Sequence, residues 1–136
     1  MTSFVESAVL EANRAFYDAF AESDADAMAA LWAREHDVLC IHPGWGALHG
    51  RDAVLGSWRA ILGSPQPPKV QFTDATAVLL GDTALVTCIE HIGKADLAAT
   101  NVFALEGGQW VLVHHHAGPM AEASEARRRP SVSSLN

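Results

Sequence analysis

The chain has 136 residues, of which 49% are hydrophobic and 18% are charged, so it has room for one globular domain with one core. The formal net charge is −7, and the only basic run is Arg127 to Arg129 near the C-terminus, which argues against a nucleic-acid partner. No stretch approaches the roughly 18 apolar residues that a membrane span needs, and the N-terminus lacks a basic region followed by an apolar run. We therefore expect a soluble, cytoplasmic protein of bacterial type that binds neither nucleic acid nor membrane.

Two amphipathic helices are predicted at the start of the chain. Ser3 followed by Glu6 forms a capping-box signature, and apolar residues then recur at spacings of three and four up to Phe20. A second helix is predicted to start at Asp24, where acidic residues lie near the positive end of the helix dipole. Its apolar face indicates that it ends by residues 34–36.

The segment after the second helix is predicted to form a strand that ends at a turn. An apolar run over residues 38–42 is stopped by Pro43-Gly44, and residues 45–49 can return as a short partner strand. His42 thus lies at a strand end, where an imidazole can face a cavity and exchange a proton near neutral pH. The alternative is a histidine that only bonds a loop carbonyl.

A third helix and four long strands are predicted to complete the domain. The helix begins at Arg51 and ends at Gly63, and prolines then force an extended linker. From residue 70 onward the apolar period changes to two, with turn residues between the runs. The predicted strands are 70–80, 84–92, 97–105 and 109–116.

Helices followed by a meander of strands are typical of an α+β layout, with three helices packed on one face of a strongly curved antiparallel sheet. We expect a single domain over residues 1–120. Residues 121–136 are predicted to be a polar tail that is disordered or weakly docked, because they show no apolar period.

Several short stretches resemble the SnoaL-like proteins, which belong to the superfamily of nuclear transport factor 2 and ketosteroid isomerase. They are the order of helices and strands, the turn His42-Pro43-Gly44-Trp45, Gly50-Arg51-Asp52-Ala53, Thr100-Asn101-Val102-Phe103 and the run from Trp110 to His116. The resemblance covers roughly residues 3 to 120. It implies a cone-shaped α+β barrel that encloses a small-molecule pocket.

The resemblance to ketosteroid isomerase is partial at the catalytic positions. That enzyme has an aspartate base directly before a proline, and the matching residue here is His42. Its protonated aspartate matches Asn101, which can donate through its amide. Its tyrosine falls on Phe16, with Tyr17 about 100° away around the helix, so steroid isomerisation itself is not expected.

The resemblance and the aromatic pattern together predict the site residues. His42 and Asn101 are the expected catalytic pair, and both should point into one cavity, with Phe103 and Leu105 on the same side as Asn101. The remaining expected pocket residues are aromatic rings and imidazoles: Phe16, Tyr17, Trp45, Trp58, Phe103, Trp110, His114 and His116. Glu90 and His91 face opposite ways on a strand, and the sequence does not decide which one faces the cavity.

The triple histidine also allows a metal hypothesis. His114 and His116 share one face of a strand, with Trp110 and Leu112, and a third ligand could come from His42 or His91. No acidic residue on the same strand orients the rings, and the two cysteines, in apolar runs, lack metal-ligand spacing. We therefore expect no metal and no cofactor.

Two function classes remain open from the sequence. In the first, the chain catalyses proton transfer on a small apolar or aromatic carbonyl compound, as an isomerase, cyclase or dehydratase. In the second, the same fold is a non-catalytic module for ligand binding or dimerisation. A homodimer is expected in either case, because the strands at 70–80 and 84–92 carry apolar residues on both faces while the helices cover one.

Overall fold

Three helices come before four long strands, as predicted, and two short strands lie between the second and third helices. The computed structural model describes residues 3–121, so the predicted tail from Glu122 onward lies outside the described residues. The elements are α1 Phe4–Ala21, α2 Ala25–Leu31, β1 Leu39–Ile41, β2 Leu48–His49, α3 Arg51–Leu62, β3 Val70–Leu80, β4 Thr83–Ile92, β5 Ala95–Glu106 and β6 Gln109–Pro119.

The helix starts are those that the capping signals predicted. Ser3 and Glu6 form both bonds of the capping box at α1, and the Asp24 side chain accepts a hydrogen bond from the backbone of Ala27 at 3.0 Å. The second helix ends at Leu31, earlier than predicted. The reason is tertiary, because Trp32 has extended backbone and bridges to Leu112 of β6.

The sheet contains six strands in the order β2-β1-β6-β5-β4-β3. The four long strands form an antiparallel meander, and the three helices pack against this curved sheet, so the predicted α+β fold is confirmed. The sheet is open, with β2 and β3 at its edges. One pairing is parallel: β1 runs alongside β6, with Leu39 opposite His114 and Ile41 opposite His116. This pairing places His42, which follows β1, beside the histidines of β6.

A β-bulge interrupts the ladder between β5 and β6. Val102 pairs with His114 while Phe103 pairs with Leu112, so Val113 has no partner. An extra residue on one strand shifts the alternation of all residues beyond it. Leu112 and His115 are consequently both buried, whereas strict alternation predicted that His114 and His116 would share the face of Leu112. That prediction is wrong, and the bulge is its cause.

The connection from α2 to β1 is fixed by a half-buried cation, Arg51. The Arg51 guanidinium donates to the backbone carbonyls of Trp32 and Ala33 at 2.8 Å and of Ala29 at 3.1 Å. These carbonyls lie in the last turn of α2 and directly after it, where few backbone donors are available. Arg51 therefore anchors the segment that leads into β1 and, through it, the position of His42.

We expect Arg51→Ala to lower the free energy of unfolding by about 2 kcal/mol, because hydrogen bonds to a charged group contribute about 1.5–3 kcal/mol and the freed carbonyls are partly buried. Urea denaturation followed by circular dichroism would measure the loss. Arg59→Ala, at an exposed position of α3, is the matched control and should change stability by about 0.5 kcal/mol or less. Equal effects of the two substitutions would contradict the anchoring role.

Candidate functional site

A cavity of about 250 Å³ lies where β1, α3 and β4 meet the end of α1. Its lining is mostly apolar, with three titratable side chains, and consists of Phe20, His42, Pro43, Trp45, Ile61, Pro68, Glu90, Ile92 and His115. A larger hollow of about 400 Å³ lies between α1 and β3, but none of its lining residues is buried. An apolar pocket with a few converging polar groups is the arrangement typical of small-molecule sites.

His42 is held on the cavity wall by a hydroxyl of α3. Its side chain is buried, and Nε2 lies 2.8 Å from Ser57 Oγ, which donates its proton to the Val54 carbonyl at 2.7 Å. Because the hydroxyl has one proton, the His42 Nε2–H donates to Ser57 and Nδ1 is left unprotonated. His42 therefore has an orienting partner, and this partner is a serine rather than a loop carbonyl.

Two tryptophans flank the His42 ring. Trp58 is buried and meets the imidazole edge-to-face at 4.8 Å between centroids, and Trp45 meets it at 4.9 Å. Trp45 is 48% exposed, so it forms the outer rim of the cavity. Burial lowers the pKa of His42 to about 4, which keeps the imidazole neutral near neutral pH.

A chain of buried polar side chains lies at the inner end of the cavity. The Tyr17 hydroxyl donates to Glu90 Oε2 at 2.6 Å and accepts from Asn101 Nδ2 at 3.2 Å. Asn101 Nδ2 also donates to Asn13 Oδ1 at 2.8 Å. The Cys88 thiol donates to the same Tyr17 oxygen at 3.3 Å. The two amides and the phenol thus fix one another's orientation.

His115 connects this polar chain to the cavity. Its Nδ1–H donates to Asn101 Oδ1 at 2.6 Å, and its Nε2 lies 3.8 Å from Glu90 Oε2. Its ring centroid is 6.4 Å from that of His42. Burial and the neighbouring His42 lower the pKa of His115 to about 3. Burial raises the pKa of Glu90, and the hydrogen bond from Tyr17 acts in the opposite direction but is the smaller effect. Both shifts favour the uncharged form.

Several predicted site residues lie elsewhere. Asn101 is fully buried behind His115 and is not part of the cavity lining, so its predicted place in the cavity is wrong. His114 and His116 lie on the opposite face from His115, where His114 Nδ1 bonds the Leu39 carbonyl at 3.2 Å. The remaining predicted residues outside the lining pack in the core or at its border: Phe16, Tyr17, Trp58, Phe103 and Trp110.

The position of the tyrosine also differs from the alignment. Matching the helix ends placed Phe16 at the family's tyrosine position, yet it is the Tyr17 hydroxyl that contacts Asn101. Phe16 instead packs against Trp58 at 5.5 Å and His115 at 4.9 Å. The Tyr17 phenol and the Asn101 amide are therefore hydrogen-bonded neighbours, although the alignment placed Phe16 at the tyrosine position.

Three side chains of the candidate site were missed or left undecided by the sequence analysis. Glu90 is the inward member of its pair, and His91 faces outward, bonded to Asp96 and Thr73 at 2.7 Å each. His115 was assigned to the other face because the bulge is not visible in the pattern. The sequence contains one indication that Ser57 belongs to the site: its hydroxyl lies on the apolar face of α3, directly before Trp58.

The His114–His116 pair is not completed by the predicted third ligands, since His42 faces the cavity and His91 is bonded elsewhere. Within residues 3–121, no three His, Cys, Asp or Glu side chains are placed to hold a metal ion. Over the same residues, no helix combines the length and the apolar composition that crossing a membrane requires.

The lowered pKa of His42 predicts a pH-dependent stability. The unfolded chain takes up this proton below about pH 6.5 and the folded chain only near pH 4, so stability falls as the pH decreases through this window. We expect the stability advantage of wild type over His42→Gln to shrink toward pH 4 by up to about 3 kcal/mol. Urea titrations between pH 7 and pH 4 would measure it. A pH-independent difference would contradict a neutral, buried His42.

The sequence profile of the SnoaL-like domain family matches residues 9–122. The F-box protein SKIP8 of Arabidopsis thaliana is 30% identical over 115 residues, covering 83% of this chain and 50% of that protein. The chain thus spans about half the length of this curated relative.

Solved structures give the same fold. A proposed dehydratase of the NTF2-like family from Streptomyces avermitilis is 35% identical, with a TM-score of 0.77 over 85% of this chain and 95% of that one. A proposed calcium/calmodulin-dependent protein kinase type II association domain from Thiobacillus denitrificans is also 35% identical, with a TM-score of 0.69 over 81% of this chain and 93% of that one. An NTF2-like protein of unknown function from Pseudomonas putida, at 20% identity and a TM-score of 0.77 over 91% and 93%, supports the fold alone.

Proposed function

This chain belongs to the SnoaL-like domain family, and from that premise we propose that its cavity takes up a small apolar carbonyl compound on which His42 moves a proton. The observation that carries the proposal is the state of His42: a buried, neutral imidazole, oriented by Ser57, on the wall of an apolar cavity. A volume of about 250 Å³ suits a compound with one or two rings. The similarity to a proposed dehydratase supports this reaction class.

In the proposed reaction, His42 Nδ1 accepts a proton from the carbon next to the carbonyl group. A base with a pKa of about 4 is fully available at neutral pH, but it is weak, so the charge that develops on the substrate oxygen needs stabilisation. At the polar inner end of the cavity, an uncharged Glu90 can donate a hydrogen bond to this oxygen. The apolar walls exclude water and strengthen these interactions.

We assign Asn101 a positioning role within this proposal. Its amide is fully buried and bonded to Asn13, Tyr17 and His115, so it holds the groups that bind substrate rather than contacting substrate itself. Of the two residues predicted to be catalytic, the proposal therefore keeps His42 as the base at the cavity wall and gives Asn101, which lies behind the wall, a positioning role.

Proton exchange tests the proposal without knowledge of the natural substrate. We expect benzylacetone, a ketone that fits the cavity, to exchange its protons next to the carbonyl with deuterated buffer faster in the presence of the protein, as followed by proton NMR. Ligand binding should also raise the thermal midpoint, since a ligand at about 100 times its Kd adds about 2.7 kcal/mol. Binding without accelerated exchange would remove the catalytic part of the proposal.

A non-catalytic association module is the second candidate. It is supported by the similarity to a proposed association domain and to half of an F-box protein. The end of β3 also exposes three consecutive apolar side chains, Val78 at 51%, Leu79 at 36% and Leu80 at 57%. We propose that this end of β3, an edge strand, joins two copies of the chain, because exposed apolar side chains grouped in this way are typical of interfaces.

Sedimentation tests the proposed dimer. We expect the wild-type chain to sediment as a dimer at micromolar concentration and Leu80→Lys to shift it toward monomer, because a charge would have to be buried in the interface. Val5→Lys, at an exposed apolar residue of α1, is the matched control and should leave the dimer intact. A wild-type monomer at micromolar concentration would rule out the proposed homodimer.

A further inference from the structure

We infer that Thr73, His91 and Asp96 form a further site on the outer face of the sheet, in which the Thr73 hydroxyl accepts acyl groups from small esters. The three residues come from the neighbouring strands β3, β4 and β5. None of them lines the cavity, so this site does not depend on the proposed function. The proposed dimer contact at residues 78–80 lies about 17 Å farther along β3 and does not include it.

The register of the sheet brings the three side chains together. His91 lies directly opposite Asp96 on one side and opposite Gln71 on the other. Thr73 follows Gln71 by two residues, so its side chain lies on the same face, one diagonal step from His91. Glu90, the residue before His91, lines the cavity on the other face. The two sites therefore use opposite faces of the same strand.

Two short hydrogen bonds connect a carboxylate, an imidazole and a hydroxyl. His91 Nδ1 lies 2.7 Å from Asp96 Oδ1, and His91 Nε2 lies 2.7 Å from Thr73 Oγ1. A carboxylate only accepts, so the proton of a neutral His91 is on Nδ1 and Nε2 carries a lone pair. The other acceptor near the Thr73 hydroxyl, Asp74 Oδ2, is 3.4 Å away, which is long for such a bond. The hydroxyl therefore donates to Nε2.

This order of groups is the one that activates a hydroxyl nucleophile. The imidazole lone pair can take the hydroxyl proton as the oxygen attacks, and the carboxylate holds the imidazole in the required tautomer. The same constellation occurs on unrelated folds, because it depends on geometry rather than on chain order. Thr73 is thus the candidate nucleophile, His91 the base and Asp96 a positioning residue.

The backbone beside Thr73 is irregular in a way that suits such a site. The ladder between β3 and β4 shifts register between Thr73 and Thr76, and Asp74 has a φ of 60°, which is uncommon for a residue other than glycine. Bulges of this kind re-aim side chains and are frequent next to active sites. Within residues 3–121, β3 is an edge strand, so alternate backbone N–H groups face its open edge and can bind a carbonyl oxygen.

The three side chains are accessible to a substrate. Thr73 is exposed, and the side chains of His91 and Asp96 are 35% and 29% exposed. Ile89 lies opposite Thr73, and Ala98 lies opposite Ile89, so both are on the same face. Neither residue is fully buried, and together they offer a small apolar surface beside the hydroxyl. This surface suits a short acyl chain.

The proposed acyl transfer has two balanced steps. Thr73 Oγ1 attacks the carbonyl carbon of the ester while His91 Nε2 takes the hydroxyl proton. The bond from that carbon to the leaving oxygen then breaks, and the leaving group departs as an alcohol or phenol with the proton from His91. Water attacks the resulting Thr73 ester with His91 again as the base, so that a carboxylic acid leaves and the hydroxyl is restored.

Acetylation by p-nitrophenyl acetate tests the site in the wild-type protein. Mass spectrometry of peptides from acid-quenched samples would locate the acetyl groups. Thr76, an exposed threonine of the same strand, is the internal control. We expect Thr73 to be acetylated about 10²-fold faster than Thr76, the lower end of the usual contribution of a general base. Equal rates at the two threonines, or acetylation of lysines alone, would overturn this inference.

Variants assign the reactivity to the three residues. His91→Gln keeps a polar side chain but removes the base, so acetylation of Thr73 should slow by about 10²-fold while that of Thr76 stays unchanged. Thr73→Val should lose the rapid release of p-nitrophenol, and Thr76→Val should retain it. Rapid release that survives in Thr73→Val would identify another nucleophile and overturn the role of Thr73.

Nitrogen NMR tests the positioning role of Asp96. We expect the wild-type His91 to show a protonated Nδ1 and an unprotonated Nε2. In Asp96→Asn, an amide that can also donate no longer holds this tautomer, so a protonated Nε2 should appear and acetylation of Thr73 should slow roughly tenfold or more. Unchanged acetylation in a variant with the altered tautomer would overturn the role of Asp96. A wild-type His91 with its proton on Nε2 would overturn activation of the Thr73 hydroxyl.

Discussion

His42→Gln is expected to lower the rate of proton exchange next to the carbonyl group by about 10² to 10⁴-fold, the usual contribution of a general acid or base. Glutamine keeps a polar side chain of similar reach that can still bond Ser57, but it cannot accept a proton from carbon. Ligand affinity should change little, because His42 supplies one wall among nine lining residues. Stopped assays analysed by NMR would give the rate, and titration of a non-reactive ketone would give the affinity.

The controls separate chemistry from damage to the fold. His49→Gln, at an exposed histidine of β2 outside the cavity lining, should retain the wild-type rate. Ser57→Ala should lower the rate by less than His42→Gln, because it releases the ring without removing the base. Substitutions at His42 and Glu90 should not combine additively, since both groups act on one reaction. A folded His42→Gln protein with the parent rate would remove His42 from the mechanism and favour the association module.

The fold could be predicted from the sequence because its signals are local. Capping residues at Ser3 and Asp24, turn residues between the strands and the change of period near residue 70 each define an element boundary. The parallel pairing of β1 with β6 could not be predicted in this way, because it joins segments that are far apart in the chain. The early end of α2 has the same origin, since it depends on a bridge to Leu112.

The candidate site could be predicted only in part. His42 and Trp45 follow from a strand end and a glycine-rich turn, which are local features, and both line the cavity. The faces of His114 to His116 depend on the bulge at Val113, and strict alternation assigns them incorrectly. The choice between Glu90 and His91 depends on which face of β4 the helices cover, and no local pattern contains that information.

Trp58 links the stability of the core to the state of the site. Its ring is buried and contacts Phe16 at 5.5 Å, Phe20 at 4.9 Å and His42 at 4.8 Å, in each case edge-to-face. The indole therefore both fills the space between α1 and α3 and shields the imidazole from water. A change at Trp58 should alter the free energy of unfolding and the pKa of His42 together.

We expect Trp58→Ala to reduce the free energy of unfolding by about 3–5 kcal/mol, since a large core side chain is replaced by a cavity. Water that enters this space should solvate the charged imidazole, so the pKa of His42 should rise from about 4 toward its ordinary value near 6.5. Urea denaturation measures the first effect, and an NMR titration of the His42 ring protons measures the second. Trp58→Phe keeps an aromatic ring against the imidazole and should show smaller changes in both quantities. A Trp58→Ala protein that loses stability while the pKa of His42 stays near 4 would show that this indole does not keep water from the base.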